Sequence, residues 1–385
     1  MAASSFVGVA ASGAAKASGK PIVVGFDVDQ SGSGAGYNVP AMKVSQAEIK
    51  QINAKGGIKG RPITTVSCND ESTPTKVGAC LQKLAGEGAV FIIQLTGSPA
   101  VIQSKSTIQQ LKIPMISSTN ASPTVPQPPD NTYIYTVAES TAVWGPAYCN
   151  GMKRLHIKTL SLLEDNTPTI AGFTPTLLKN MPCVSVVNTQ TAPVTATNIT
   201  AEVSRLSSPK GDAIMISTAE TSFDALANNT IKQQDPKSTV FDVATLCNNP
   251  GTWKLANPNA LVGTICPGAI DSANKVTTSV QKYLRSQLGQ TFILSEFTAE
   301  GWDGVNLMAQ AMKKASSLTG AVLNKAVQSL KNVPSASGSP GYNLTLSGTK
   351  HSAPNGPCGI VMVQWNPTNE HQRTWPAYHA QTLGC

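Results

Sequence analysis

The chain has 385 residues, 41% of them hydrophobic, enough for two lobes of ordinary domain size. Only 13% are charged, and the net charge of +8 is scattered, with no run of five basic residues and no zinc-finger spacing, which argues against a nucleic-acid partner. No apolar run reaches the length of a membrane-spanning helix.

Residues 1–20, rich in Ala, Ser and Gly, read as a flexible N-terminal tail, the remnant of an export signal or tether. Folding is expected from Pro21. Ile22 to Phe26 reads as a buried strand, followed by a Ser/Gly turn from Gln30 to Gly36 and a helix over 37–55 that stops at Gly56-Gly57. A strand at Ile63 to Val66, a helix over 73–87, a strand at Ala89 to Ile93, a helix over 99–111 and a strand at Pro114 to Ser117 continue the alternation. Strands and helices in this rhythm predict βαβ units and a parallel sheet.

A Pro-rich loop, Ser122 to Pro129, interrupts the pattern, and Tyr133 to Thr136 reads as a strand leaving the first lobe. The alternation then restarts. Helices are expected near 144–153, 168–179, 197–206 and 221–234, with strands at Thr159 to Leu163, Val184 to Val187, Ala213 to Ile216, Val240 to Val243 and Ala260 to Thr264. Helices over 272–287, 300–315 and 320–331 follow, then strands at Tyr342 to Leu346 and Gly359 to Trp365. These late elements must return to one lobe or the other, which predicts a cleft between them.

Chemistry-bearing motifs are scarce. The four histidines share no metal spacing, and neither GxSxG nor GxxxxGK[ST] occurs. Gly32, Gly34 and Gly36 follow the first strand but miss the offsets of a dinucleotide loop. Glu164-Asp165-Asn166 ends a strand without a nucleophile or a second acidic pair. No catalytic residue, cofactor or metal is therefore expected. The eight cysteines form no CxxC pair and fall in successive couples, so Cys68-Cys80, Cys149-Cys183, Cys247-Cys266 and Cys358-Cys385 are the expected disulfides, one pairing among many. The strand ends carry small hydroxyl and amide residues instead: Thr96-Gly97-Ser98 and Ser117-Ser118-Thr119-Asn120-Ala121. Hydroxyls beside the uncapped N–H groups of a loop–helix junction suit an anionic group.

Asn53-Ala54-Lys55-Gly56-Gly57-Ile58-Lys59-Gly60-Arg61-Pro62-Ile63 resembles the N-x-x-G-G-I-x-G-(R/K)-x-(I/L) stretch of the type I periplasmic binding proteins, in particular the branched-chain amino-acid (Leu/Ile/Val) receptors of ABC importers. Pro21 to Gly25 with Ser31 to Tyr37, Val90 to Ser98, Ile113 to Ser118 and Phe297 to Gly304 are similar to the same family, so the resemblance runs from residue 21 to about 380. It implies an α/β fold of two Rossmann-like lobes with parallel sheets joined by a three-crossover hinge. Lobe 1 is then 21–138 and 268–354, and lobe 2 is 139–267 and 355–385.

The family's ligand positions fall on Tyr37, Leu95, Thr96, Gly97, Ser98, Thr119, Asn120 and Ala121 in lobe 1, and near Asn166, Thr218, Thr245 and Leu246 in lobe 2. The resemblance implies a monomeric extracytoplasmic protein, in the periplasm or at the outer face of the membrane. It would capture a small-molecule solute by lobe closure and present it to ABC permease subunits. A ligand-sensing domain on the same fold, or an enzyme acting on a small acid or amide, are the alternatives. Amino-acid-binding members hold the ammonium with an acidic residue near Thr245-Leu246, and Val243 to Asn249 contains none. The expected solute is a carboxylate, either an amino acid or an amine-free aromatic or aliphatic acid.

Overall fold

The first apolar run becomes β1 (Ile22–Val28), almost wholly buried. β-Branched residues covered on both faces suit the centre of a parallel sheet. β1 lies between β2 (Ile63–Asn69) and β3 (Phe91–Leu95), with β4 (Met115–Ser117) and β5 (Ile134–Thr136) beyond β3. All these pairings are parallel. Helices α1 (Ala35–Ala54), α2 (Pro74–Gly86) and α3 (Ser98–Leu111) connect the first four strands. The computed structural model describes residues 17–243, 250–271, 273–355 and 359–364.

The second sheet runs in the order β14-β10-β9-β8-β6-β7. Its strands are β6 (Thr159–Asp165), β7 (Ser185–Ala192), β8 (Ala213–Ser217), β9 (Thr239–Asp242), β10 (Ile265–Gly268) and β14 (Val361–Gln364). They are parallel except β14, which pairs antiparallel with β10. Helices α4 (Thr141–Arg154), α5 (Pro168–Lys179), α6 (Thr200–Arg205) and α7 (Thr221–Gln234) alternate with them. The protein is thus a two-lobed α/β fold. The chain leaves the first sheet after β5 and returns after β10, when helix Glu296–Lys314 packs along α1. It crosses again to reach β14. A small antiparallel sheet of β11 (Val333–Pro334), β12 (Asn343–Leu344) and β13 (Pro354–Asn355) precedes that last crossing.

Both sheets reverse their winding next to a central strand, at β1/β3 and at β6/β8. Loops leaving such neighbours diverge and open a crevice at the carboxyl ends of the strands. The two crevices face each other. One apolar core, with Phe26, Phe91 and Met308, lies under the first sheet, and another, with Tyr148, Leu162 and Phe241, lies under the second.

Some expected elements move. Ala260 to Thr264, read as a strand, holds the end of a 3-10 turn (Pro258–Leu261) and Gly263 at φ 84°, and the strand begins only at Ile265. Pro258 sets the first turn, and the Asn257 side chain accepts the Asn259 N–H at 3.0 Å, so the apolar run begins as a turn. The helix expected from 300 starts at Glu296, because Ser295 and Thr298 cap each other across its first turn. Of the expected tail, residues 1–16 lie outside the described residues, while the Ser18 and Gly19 N–H groups bond to the Gly60 carbonyl.

Two of the expected disulfides are present, Cys68–Cys80 joining β2 to α2 and Cys149–Cys183 joining α4 to the approach of β7. Cys266 is disulfide-bonded as well, and Cys247, Cys358 and Cys385 lie outside the described residues.

Candidate ligand-binding cleft

A cavity of about 380 Å³ lies where the two crevices meet. On the first-sheet side its wall comes from Tyr37 on α1, Gly97 and Ser98 at the start of α3, and Thr119 and Ala121 after β4. Phe297 joins them, its ring 4.6 Å from that of Tyr37 at 34°. On the second-sheet side stand Thr141 and Trp144 from α4, Thr169 and Phe173 from α5, Thr218 after β8 and Val243 after β9. The Trp144 and Phe173 rings meet edge to face at 5.7 Å and 71°. Four aromatic rings in one cavity of this size offer an apolar or aromatic body extensive contact.

The residues expected from sequence divide cleanly. Tyr37, Gly97, Ser98, Thr119, Ala121 and Thr218 line the cavity. Leu95, Thr96, Asn120 and Asn166 do not. Leu95 is packed in the core beneath β3. The Thr96 hydroxyl donates to Asp70 Oδ1 at 2.9 Å and lies 3.2 Å from the Ser72 hydroxyl, behind the wall. Asn120 donates through Nδ2 to Ser117 Oγ at 2.6 Å. Asn166 Oδ1 accepts the Val194 N–H at 3.1 Å. Thr245 and Leu246 lie outside the described residues.

No carboxylate, ammonium, guanidinium or imidazole is among the described residues lining this cavity. The sequence that follows Val243, Ala-Thr-Leu-Cys-Asn-Asn over 244–249, contains no acidic or basic residue. Hydrogen-bonding capacity comes from hydroxyls and helix starts. Gly97 precedes α3 without any side-chain cap; Pro99 has no N–H and the Ala100 N–H turns back to the Gly97 carbonyl at 3.1 Å, so the Ser98 N–H and the positive end of the helix dipole are what this helix start offers at the wall. Ser98 Oγ accepts the Ser122 N–H at 3.3 Å, which leaves its own proton to donate. The Thr119 hydroxyl, by contrast, gives its proton to Asn38 Oδ1 at 2.5 Å.

Acidic groups stand behind the wall. Asp29 accepts the Gly32 and Gly34 N–H groups at 2.6 and 2.8 Å and the Ser72 hydroxyl at 2.7 Å, which fixes the loop that delivers Tyr37. Burial pushes the Asp70 carboxyl up to about 6, and burial followed by repulsion from Asp70 pushes Asp27 well above the usual carboxylate range. On the other lobe, Glu220 is pushed up to about 7 by burial first, then by Asp165 and by Asp29 across the cleft. Burial and the nearby Asp29 raise the Tyr37 phenol as well, so it remains a neutral hydroxyl.

Sequence reading missed Thr141, Trp144, Thr169, Phe173 and Phe297 on the wall and Asp29, Asp70 and Ser72 behind it. Phe297 alone had a signal, lying in one of the stretches that resemble the receptor family. Among the described residues, no group of three or more His, Cys, Asp or Glu could hold a metal ion.

Facing parallel sheets around a cleft of hydroxyls, helix starts and aromatic rings define a solute-binding protein. A family model described as periplasmic binding protein matches residues 21–369, and the chain belongs to that family. Members of the family are extracytoplasmic proteins that bind ligands and do not catalyse reactions. The chain is similar to the Leu/Ile/Val-binding protein homolog 2 of Brucella abortus (strain 2308), 28% identical over 103 residues, 27% of this chain. That match spans only 28% of the length of the curated relative. Among solved structures it superposes on the branched-chain amino acid transporter substrate-binding protein LivJ of Streptococcus pneumoniae, in complex with isoleucine, with TM-score 0.80 and 17% identity, covering 91% of this chain and 97% of that one. It matches the leucine-binding protein LivK of Thermotoga maritima with TM-score 0.77 and 15% identity, covering 90% and 96%. At these identities the likeness is one of fold.

Proposed function

We propose that this chain is the solute-capturing component of an ABC importer and that its solute is a small monocarboxylate with an apolar or aromatic body and no ammonium group. Lobe 1 comprises 21–138 and 268–354, lobe 2 comprises 139–267 and 355–385, and closure of one on the other buries the solute for delivery to the permease. One observation carries the choice of solute: the cavity wall has no charged side chain among the described residues. An ammonium enclosed there would lose its water without a counter-charge, which is costly. A carboxylate is met by the start of α3 and the Ser98 hydroxyl, where donors are preorganised. The rings of Tyr37, Phe297, Trp144 and Phe173 suit the remainder.

The amino-acid reading keeps one observation in its favour. Glu220 is raised to about 7 among like charges, and a cation between Glu220 and Asp29 would relieve that repulsion. Calorimetry on matched pairs separates the two: 3-phenylpropanoate against phenylalanine, and 4-methylpentanoate against leucine. The proposal expects the amine-free member of each pair to bind at least tenfold tighter. Tighter binding of phenylalanine or leucine than of its amine-free partner overturns it.

A further inference from the structure

The second-sheet wall contains two buried polar groups that no described residue satisfies. Trp144 and Thr141 both line the cavity, and each is only 1% exposed. Trp144 Nε1 and Thr141 Oγ1 are enclosed without any hydrogen-bond partner. An indole N–H can only donate, and a buried donor left unmade carries the full cost of its lost hydration. Native interiors rarely tolerate such groups unless a ligand or a bound water completes them.

The two side chains are three residues apart on α4, which puts them on one helix face with Cβ atoms on the order of 5–6 Å apart. The first turn of α4 is anchored to the opposite wall, because the Thr141 N–H donates to the carbonyl of Ala121 at 2.8 Å. Ser140 caps the helix with no side-chain bond, so the positive end of its dipole also stands here. Phe173 holds the Trp144 ring edge-on. This is a fixed pair of donors placed apart from the start of α3.

We infer that the Trp144 indole N–H and the Thr141 hydroxyl form a second recognition point in the cleft, one that receives a neutral acceptor oxygen on the bound solute: a ketone, amide, ether or hydroxyl oxygen remote from its carboxylate. This rests on the proposed carboxylate-binding function and narrows its solute. An oxygen is required because the indole only donates. It is neutral because no Lys, Arg or His lines the described wall, and a second carboxylate would be buried without a counter-ion.

The test is calorimetry on matched acids that differ only in the remote oxygen: 4-oxopentanoate against pentanoate, and 4-oxo-4-phenylbutanoate against 4-phenylbutanoate. The corresponding neutral amides form a second arm. In at least one pair the unmodified protein should prefer the oxo member by tenfold or more. In Trp144→Phe, and in the near-isosteric Thr141→Val, which guards against a misfolded tryptophan variant, that preference should shrink to within about threefold. Equal affinity for oxo and plain acids, or a preference that survives both substitutions, overturns the inference and leaves the carboxylate reading standing. Binding of the amides alone, with an oxo preference that Trp144→Phe abolishes, supports the subsite and removes the carboxylate reading instead.

Discussion

Asp165 Oδ2 accepts the Thr218 hydroxyl at 2.6 Å, and its other oxygen accepts the Thr167 N–H at 2.7 Å. Asp165 ends β6 and is buried, whereas Thr218 follows β8 and reaches the cavity wall. This buried carboxylate, bonded to a residue of the cavity wall, is therefore spent on fixing two loops. Replacing it by alanine leaves buried donors unmade, so Asp165→Ala should lower stability by about 2–4 kcal/mol. Affinities for amine-bearing and amine-free acids should fall in the same proportion. Calorimetric melts with titrations of both ligand types check this. A loss confined to amine-bearing ligands would make Asp165 an ammonium partner.

That pair also marks what the sequence could and could not reveal. The βαβ alternation, the hydroxyl-rich strand ends and the family resemblance expose the fold and six residues of the wall, because those signals are local. Thr96 reads as a site donor, yet a hydroxyl has one proton, and Asp70 behind the wall takes it. Asp29, Asp70 and Ser72 sit on neighbouring strand ends that only sheet pairing brings together. Trp144 belongs to the first turn of α4 and Phe173 to the second of α5, and hydrophobic periodicity orients such residues toward their own sheet. Nothing in the sequence tells that these turns face the opposite lobe. Ala260 to Thr264 failed differently: short apolar runs carry no period that separates turn from strand.

Across the cleft, the N-terminal halves of α3 and α5 approach through small residues. A Cβ on Gly172 would lie 3.7 Å from Pro99 Cγ, and one on Gly97 would lie 3.5 Å from Thr169 Oγ1. Anything much larger than a methyl at Gly172 would project into Pro99. Gly172→Phe should wedge the lobes and weaken solute binding at least tenfold. Position 172 is exposed on a helix, so the ligand-free protein should lose less than about 0.5 kcal/mol. Titration and thermal melting measure the two effects separately, and unchanged affinity would mean that this contact does not limit closure.

The two described disulfides close loops of different length, with separations of 34 residues for Cys149–Cys183 and 12 for Cys68–Cys80. In the chain-entropy account the longer loop constrains the unfolded chain more, by about 1 kcal/mol. The double substitution Cys149→Ser with Cys183→Ser should therefore destabilise the protein more than Cys68→Ser with Cys80→Ser, each within about 2–5 kcal/mol. Denaturant melts of the two variants give the order. The reverse order would show that packing of the freed side chains outweighs loop entropy here.

Where the chain first crosses between lobes, the Tyr342 hydroxyl donates to Glu139 Oε1, while Glu139 Oε2 is buried without a partner. Gly359 closes over the same carboxyl, since a Cβ there would fall 1.6 Å from Oε1 and would displace the Glu139 side chain. Burial pushes the Glu139 carboxyl up to about 7, against the weaker opposing effects of the Tyr342 bond and of Lys350. Glu300 on helix Glu296–Lys314 is raised beside it, mainly by burial, then by Glu296 and by Glu139. The sign follows from proton linkage. Below the unfolded value near 4.5 both states are protonated and the group is neutral to stability. Between about 4.5 and 7 the folded state holds the proton that the unfolded chain releases, so stability falls as pH rises and levels off above the folded value. A shift from 4.5 to about 7 corresponds to about 3 kcal/mol. Glu139→Gln keeps an acceptor for Tyr342 and carries no charge. It should therefore melt higher than the parent protein at pH 8, match it near pH 4.5 and show a flatter profile between. A variant whose melting temperature tracks the parent at every pH would place this pH dependence on other buried carboxyls such as Asp303, which burial raises to about 6.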